Sequence, residues 1–103
     1  MQKNNFKIKY PTGYQVKDIY NDNLDIHIIL PNEEVYFATL FTLANIKDLM
    51  ENDGTIHFWA SDMIIVRSLN ELDITTAIDE MISSTYFANA FSKIGTIQSV
   101  YKM

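Results

Sequence analysis

Leu24, Ile26, Ile28 and Leu30 alternate with Asp25, His27 and Ile29, a period of two that predicts a β-strand over 24–30 with one apolar face. Pro31-Asn32-Glu33 follows with turn chemistry, since proline presets a turn dihedral and asparagine tolerates unusual ones. Val35 to Phe41 is apolar on both faces, which predicts a central partner strand and closes a hairpin. Beyond it the period changes. Leu43, Ile46, Leu49 and Met50 share one face of a helix over 43–52, with Lys47, Asp48 and Glu51 opposite, Thr42 as N-cap and Gly54 as terminator. Ile56 to Ala60 reads as a strand, Ser61-Asp62 as a tight turn, and the branched run Met63 to Val66 as a buried strand.

The ends are less regular. Phe6, Ile8 and Tyr10 alternate with lysines, predicting a short edge strand stopped at Pro11, with a turn at Thr12-Gly13. Tyr14 to Tyr20 reads as a second strand with Tyr14, Val16 and Ile19 inward. Asn70 or Asp73 caps a helix in which Ile74, Ala77, Ile78, Met81 and Ile82 recur at helical spacing, and Ser83-Ser84-Thr85 weakens its end by competing for backbone hydrogen bonds. A second short helix over 86–94 buries Phe87, Ala90 and Phe91 and stops at Gly95, leaving 96–103 as a last strand or a loose tail. The expectation is one α+β domain over 1–103, an antiparallel or mixed sheet of four to six strands with two or three helices packed on one face.

Composition narrows the function. With 48% hydrophobic residues the chain can bury a core and is not a disordered segment. Having no cysteine, it has no disulfide, thiolate nucleophile or cysteine-based metal site, as suits a reducing compartment. No apolar run approaches a membrane span and no apolar segment follows the N-terminal lysines, so the expected location is cytoplasmic, without signal peptide or membrane partner. Charge is partitioned: all thirteen acids fall in residues 18–91 against only Lys47 and Arg67, while residues 1–17 hold four lysines and no acid. A net charge of −5 argues against nucleic acid as a partner and for a basic macromolecule, although acidity for solubility alone is equally common.

No catalytic or metal constellation emerges. His57, Ser61 and Asp62 are close in sequence, but on a strand Asp62 points away from the other two, and no glycine-rich elbow presents the serine. His27 and His57 belong to separate predicted strands, without the spacing of a zinc site. Asp18, Asp22 and Asp25 lack the central glycine and terminal glutamate of a calcium loop. Glu33 and Glu34 on a turn face water, which suits partner contact better than acid–base chemistry. The aromatic residues read mainly as core. Phe58 and Trp59 cannot both face inward on a strand, however, and a half-exposed Trp59 beside Asp62 would suit a binding anchor. Neither an enzyme nor a cofactor is expected.

Residues 35–42 (VYFATLFT), 58–66 (FWASDMIIV) and 78–82 (IDEMI), with Phe87 and Phe91, resemble small immunity proteins of bacterial contact-dependent inhibition and polymorphic toxin systems. The resemblance spans roughly residues 24–94 and rests on core apolar positions, so it transfers no binding residue. It implies a cytoplasmic inhibitor that binds a cognate toxin domain, a nuclease whose basic cleft an acidic body would occlude. The densest acidic runs, Asp18, Asp22, Asp25, Glu33 and Glu34, then Asp48, Glu51 and Asp53, together with Trp59 and Asp62, are the expected partner contacts. The alternative is a small ligand-binding or regulatory module with a pocket between sheet and helices.

Overall fold

The computed structural model describes residues 2–102 and pairs the alternating segments as their pattern predicts. Three strands, β1 (Lys7–Lys9), β2 (Asn23–Ile29) and β3 (Glu34–Phe41), run antiparallel in sequence order, with Leu24 opposite Leu40 and Ile26 opposite Ala38. The β2–β3 turn closes with the Glu33 amide donating to the Leu30 carbonyl at 2.9 Å. Glu33 itself takes a left-handed φ of 70°. Next comes α1 (Leu43–Asp53), capped by the Thr42 side chain, which accepts from the Asn45 amide, and ended by Gly54 in the left-handed conformation.

The far edge of β3 is shared. Strand β4 (Met63–Ile65) lies parallel to its C-terminal part, pairing with residues 39–41. Near the end of the chain, β5 (Ser92–Thr96) lies antiparallel to its N-terminal part, pairing with residues 34–37. The sheet is therefore mixed and five-stranded, β1-β2-β3, with β4 and β5 end to end beyond β3. Its helices are α1, α2 (Glu71–Ser83), α3 (Phe87–Ala90) and α4 (Ile97–Tyr101), which makes the α+β class expected from the sequence.

Register decides what is buried. Leu24, Ile26, Ile28, Ala38 and Leu40 share the first face of the sheet and join Val66, Leu69, Ile74, Ile78, Phe87 and Phe91 in one core, under α2 and α3. The second face carries His27, Ile29, Val35, Phe37 and Phe41. There α4 packs against β3 and β5, and the Phe58 ring meets Phe41 edge-on, with centroids 4.9 Å apart. The N-terminal segment is held to α2: the amides of Lys3 and Asn4 donate to the Asp79 carboxylate at 2.7 and 2.8 Å. These bonds, the Lys3 amide foremost, hold the buried Asp79 carboxyl below the ordinary carboxylate range.

Four expected elements take other forms. Residues 14–20 form a loop, because their backbone bonds go to local turns and to Leu69, whose amide donates to the Ile19 carbonyl at 2.7 Å. The helix expected over 86–94 shortens to α3: Phe91 is extended and buried, and the chain passes into β5, because the open half-edge of β3 offers ladder bonds to residues 92–96. The expected last strand is α4 instead, started by a capping box between Thr96 and Ser99; Met103 lies outside the described residues. Residues 56–60 make no ladder, because β4 occupies the only edge of β3 within their reach.

Candidate binding surface

Thr42 begins the surface. Buried at the end of β3, it donates through Oγ1 to the Asp22 carbonyl at 3.3 Å and accepts there from the Asp22 amide at 3.2 Å. The same oxygen caps α1, so the cap also fastens the loop before β2 to the helix. Two side-chain bonds extend the seam: Asn21 Nδ2 donates to Asp48 at 2.9 Å, and Asn23 Nδ2 to Asn45 at 2.8 Å. Asp18 turns its own loop by accepting from the Tyr20 amide. The loop that carries Asp18 and Asp22 is thus fastened, at one end of the sheet, to the helix that carries Asp48, Glu51 and Asp53.

The other expected contacts separate from this group. Glu33 and Glu34 stand at the opposite end of β3, a strand of eight residues, about 25 Å away at the rise of an extended chain. Glu34 is half-buried and paired with Lys93 at 2.7 Å, which holds its carboxyl below the usual range, whereas the sequence suggested an acid facing water. Asp25 points to the second face of the sheet, opposite Thr39. Asp62, in a left-handed turn, accepts from Ser92 Oγ at 2.7 Å and so ties β4 to β5. Glu51 pairs with Lys47 along α1 at 3.8 Å, an exposed contact of small energy.

Apolar residues lie exposed beside the acidic end. No residue of α1 is fully buried: of the stripe its sequence predicts to face the core, Ile46, Leu49 and Met50 are half-buried and Leu43 is exposed. Leu43 is 70% exposed, Ile56 96% and Trp59 74%. Of the pair that could not both face inward, Phe58 covers Phe41 and Trp59 faces outward. Along α1 runs an open groove of about 510 Å³ lined by Leu43, Ile46, Lys47, Met50, Glu51, Gly54 and Thr55. Contiguous exposed apolar area of this kind marks interaction sites.

A second cavity, of about 340 Å³, opens on the second face of the sheet and is lined in part by Lys9, Asp25, His27, Phe37 and Tyr101. His27 Nδ1 and the Tyr101 hydroxyl are 2.7 Å apart, and Lys9 Nζ lies 3.9 Å above the Tyr101 ring. Burial pushes the Tyr101 phenol up, so it stays protonated at neutral pH and can either donate to His27 or accept from it. Sequence reasoning missed this group, because Tyr101 joins it only through α4.

His57 and Ser61 are exposed on the loop before β4 and make no joint arrangement with Asp62, which bonds to Ser92. Among the described residues no three His, Asp or Glu side chains gather as metal ligands would. No described helix is long and apolar enough to cross a membrane. Arg67 forms a two-pronged bond to Asp73, through Nε at 3.1 Å and Nη2 at 2.6 Å; with Ser68 this holds the Asp73 carboxyl down to about 2. Comparison with family models, curated proteins and solved structures finds no match.

Proposed function

We propose that this chain is a non-enzymatic inhibitor of the immunity type, which binds a cognate secreted toxin domain, a nuclease, through its acidic end. The observation that carries the reading is the hydrogen-bonded seam that fastens the loop bearing Asp18 and Asp22 to α1, which bears Asp48. Clustered fixed carboxylates steer a basic partner and raise its association rate. A nuclease supplies such a partner, since it must hold phosphates in a basic cleft. The test is coexpression with the C-terminal domain of a secreted protein encoded immediately upstream. Protection of the cell and a salt-sensitive complex of the purified pair are expected. Continued killing, or no association at low salt, overturns the reading.

The cavity beside His27 favours a second reading, a small-ligand module. Its mix of Lys9, Asp25, imidazole and phenol suits a zwitterionic ligand of amino-acid size. His27 ring resonances that move during titration with a mixture of free amino acids would support it.

A further inference from the structure

Pairing across β1 and β2 puts Lys9 opposite His27 on the second face of the sheet, with Asp25 two positions further along the same face of β2. Diagonal neighbours of this kind have Cβ atoms about 7 Å apart, close enough for a lysine to reach a carboxylate. Lys9 does not take that partner. Its ammonium lies 3.9 Å from the centre of the Tyr101 ring, and among the described residues neither Lys9 nor Asp25 forms a salt bridge. Tyr101 is fixed in turn by its hydroxyl, 2.7 Å from His27 Nδ1, and the His27 ring stands edge-on to Phe37 with centroids 6.3 Å apart. One cavity therefore carries a positive and a negative pole that are held apart, and three rings line it as well.

We infer that the cavity beside His27 binds an α-amino acid with an uncharged aromatic side chain, its carboxylate on Lys9, its ammonium on Asp25 and its ring against Phe37 and Tyr101. The inference rests on the small-ligand reading and adds to it the side-chain class and the pole that each residue supplies. An α-amino acid carries both charges on substituents of one carbon, so a single molecule with a hydrogen bond at each end bridges two poles that do not reach each other. The Tyr101 ring occupies one side of the Lys9 ammonium and leaves its other N–H donors to an incoming carboxylate. Aromatic rings favour edge-on or offset neighbours with centroids about 4.5–7 Å apart, the spacing at which Phe37 and Tyr101 already flank His27. Charge excludes the other large side chains. A second cation, as in arginine, would compete with Lys9 for the Tyr101 ring, and a second carboxylate would stand near Asp25. An aliphatic side chain fills the space, of about 340 Å³, but forgoes the ring contacts.

The test titrates the isotope-labelled chain separately with L-phenylalanine, L-leucine, glycine, L-arginine, phenethylamine, which has no carboxylate, and 3-phenylpropionate, which has no ammonium. Phenylalanine should move the His27 ring resonances and the amides of residues 25–27 and 97–101. It should bind about tenfold or more tightly than glycine, arginine or either single-charge analogue, as loss of a charge-assisted bond or of a whole side chain does, and about threefold or more tightly than leucine. Lys9→Met should abolish the preference for phenylalanine over phenethylamine and keep that over 3-phenylpropionate; Asp25→Asn should do the reverse. Both side chains are exposed, so neither variant disturbs the core. If glycine, leucine or arginine binds as tightly as phenylalanine, or if the two variants leave both preferences in place, the inference is overturned and the small-ligand reading stands. Phenylalanine shifts centred away from residues 25–27 and 97–101 overturn it as well. If no free amino acid moves the His27 resonances, the small-ligand reading falls and the inference falls with it.

Discussion

Thr42→Ala should melt the candidate surface while leaving the sheet folded. The threonine is 1% exposed, and its Oγ1 is the N-cap of α1 and also bonds both backbone groups of Asp22. Loss of an N-cap side chain costs about 1 kcal/mol. Loss of a part-buried bond to the Asp22 amide adds about 1 kcal/mol more. A helix normally draws its stability from tertiary packing, and one of about eleven residues is marginal without it. Here α1 buries no side chain fully and half-buries only Ile46, Leu49 and Met50 among its apolar residues, so the cap carries a large share of its stability. A loss of about 2 kcal/mol corresponds to roughly a thirtyfold increase in the open population, at 1.4 kcal/mol per factor of ten. Native-state amide exchange reads this directly: residues 46–53 should exchange some thirtyfold faster, with β2 and β3 amides protected as before. Thr42→Ser keeps the oxygen and should restore most of the protection. Equal acceleration across the sheet, or less than a threefold change in α1, would refute the claim that the cap rather than packing holds this helix.

Three other perturbations test the remainder of the fold. Gly95→Ala should cost about 1–3 kcal/mol, as non-glycine residues forced into such a conformation do, because φ is 148° there and the new methyl meets Ser99 and Val100 of α4; an unchanged urea midpoint would show that α4 gives way freely. Asp73 titrates at about 2 when folded, below the unfolded value near 4. Its contribution is therefore complete above about pH 5 and disappears as the pH falls towards 2. Asp73→Asn should flatten the fall of the urea midpoint across that window, and parallel curves would refute the assignment. Tyr14 carries a buried hydroxyl with no hydrogen-bond partner among the described residues. Tyr14→Phe should therefore leave stability unchanged or raise it, and a loss above about 1 kcal/mol would mean that the hydroxyl is bonded.

What could be read from the sequence was whatever a single local signal determines. Alternation over Leu24 to Leu30 and the Pro31 turn define β2, the hairpin and its inner face, and Thr42 with Gly54 brackets α1 to within one residue. Competition between distant segments could not be read. The pattern from Tyr86 to Phe91 is compatible with a helix, and only the vacant half-edge of β3, more than fifty positions earlier, makes 92–96 a strand. Residues 56–60 have strand composition, yet composition does not reveal that β4 has taken their edge. At the surface, the count of acids was plain, but their grouping depended on which strand end each occupies. Hence Glu33 and Asp22, in one dense run of sequence, are separated by the length of β3. The groove could not be foreseen, because the stripe on α1 is the one that ordinarily predicts burial.

The shared edge of β3 makes Ser92 to Thr96 a structural closure. Until Ser92 to Thr96 dock, Glu34 to Phe37 present a row of unpaired amides and carbonyls beside apolar side chains, a template that any passing strand can join. Synthesis delivers β5 after the other described strands of this sheet, so the growing polypeptide carries this adhesive margin longest. A truncation just before Ser92 would accordingly be expected to stack on itself in solution instead of simply unfolding.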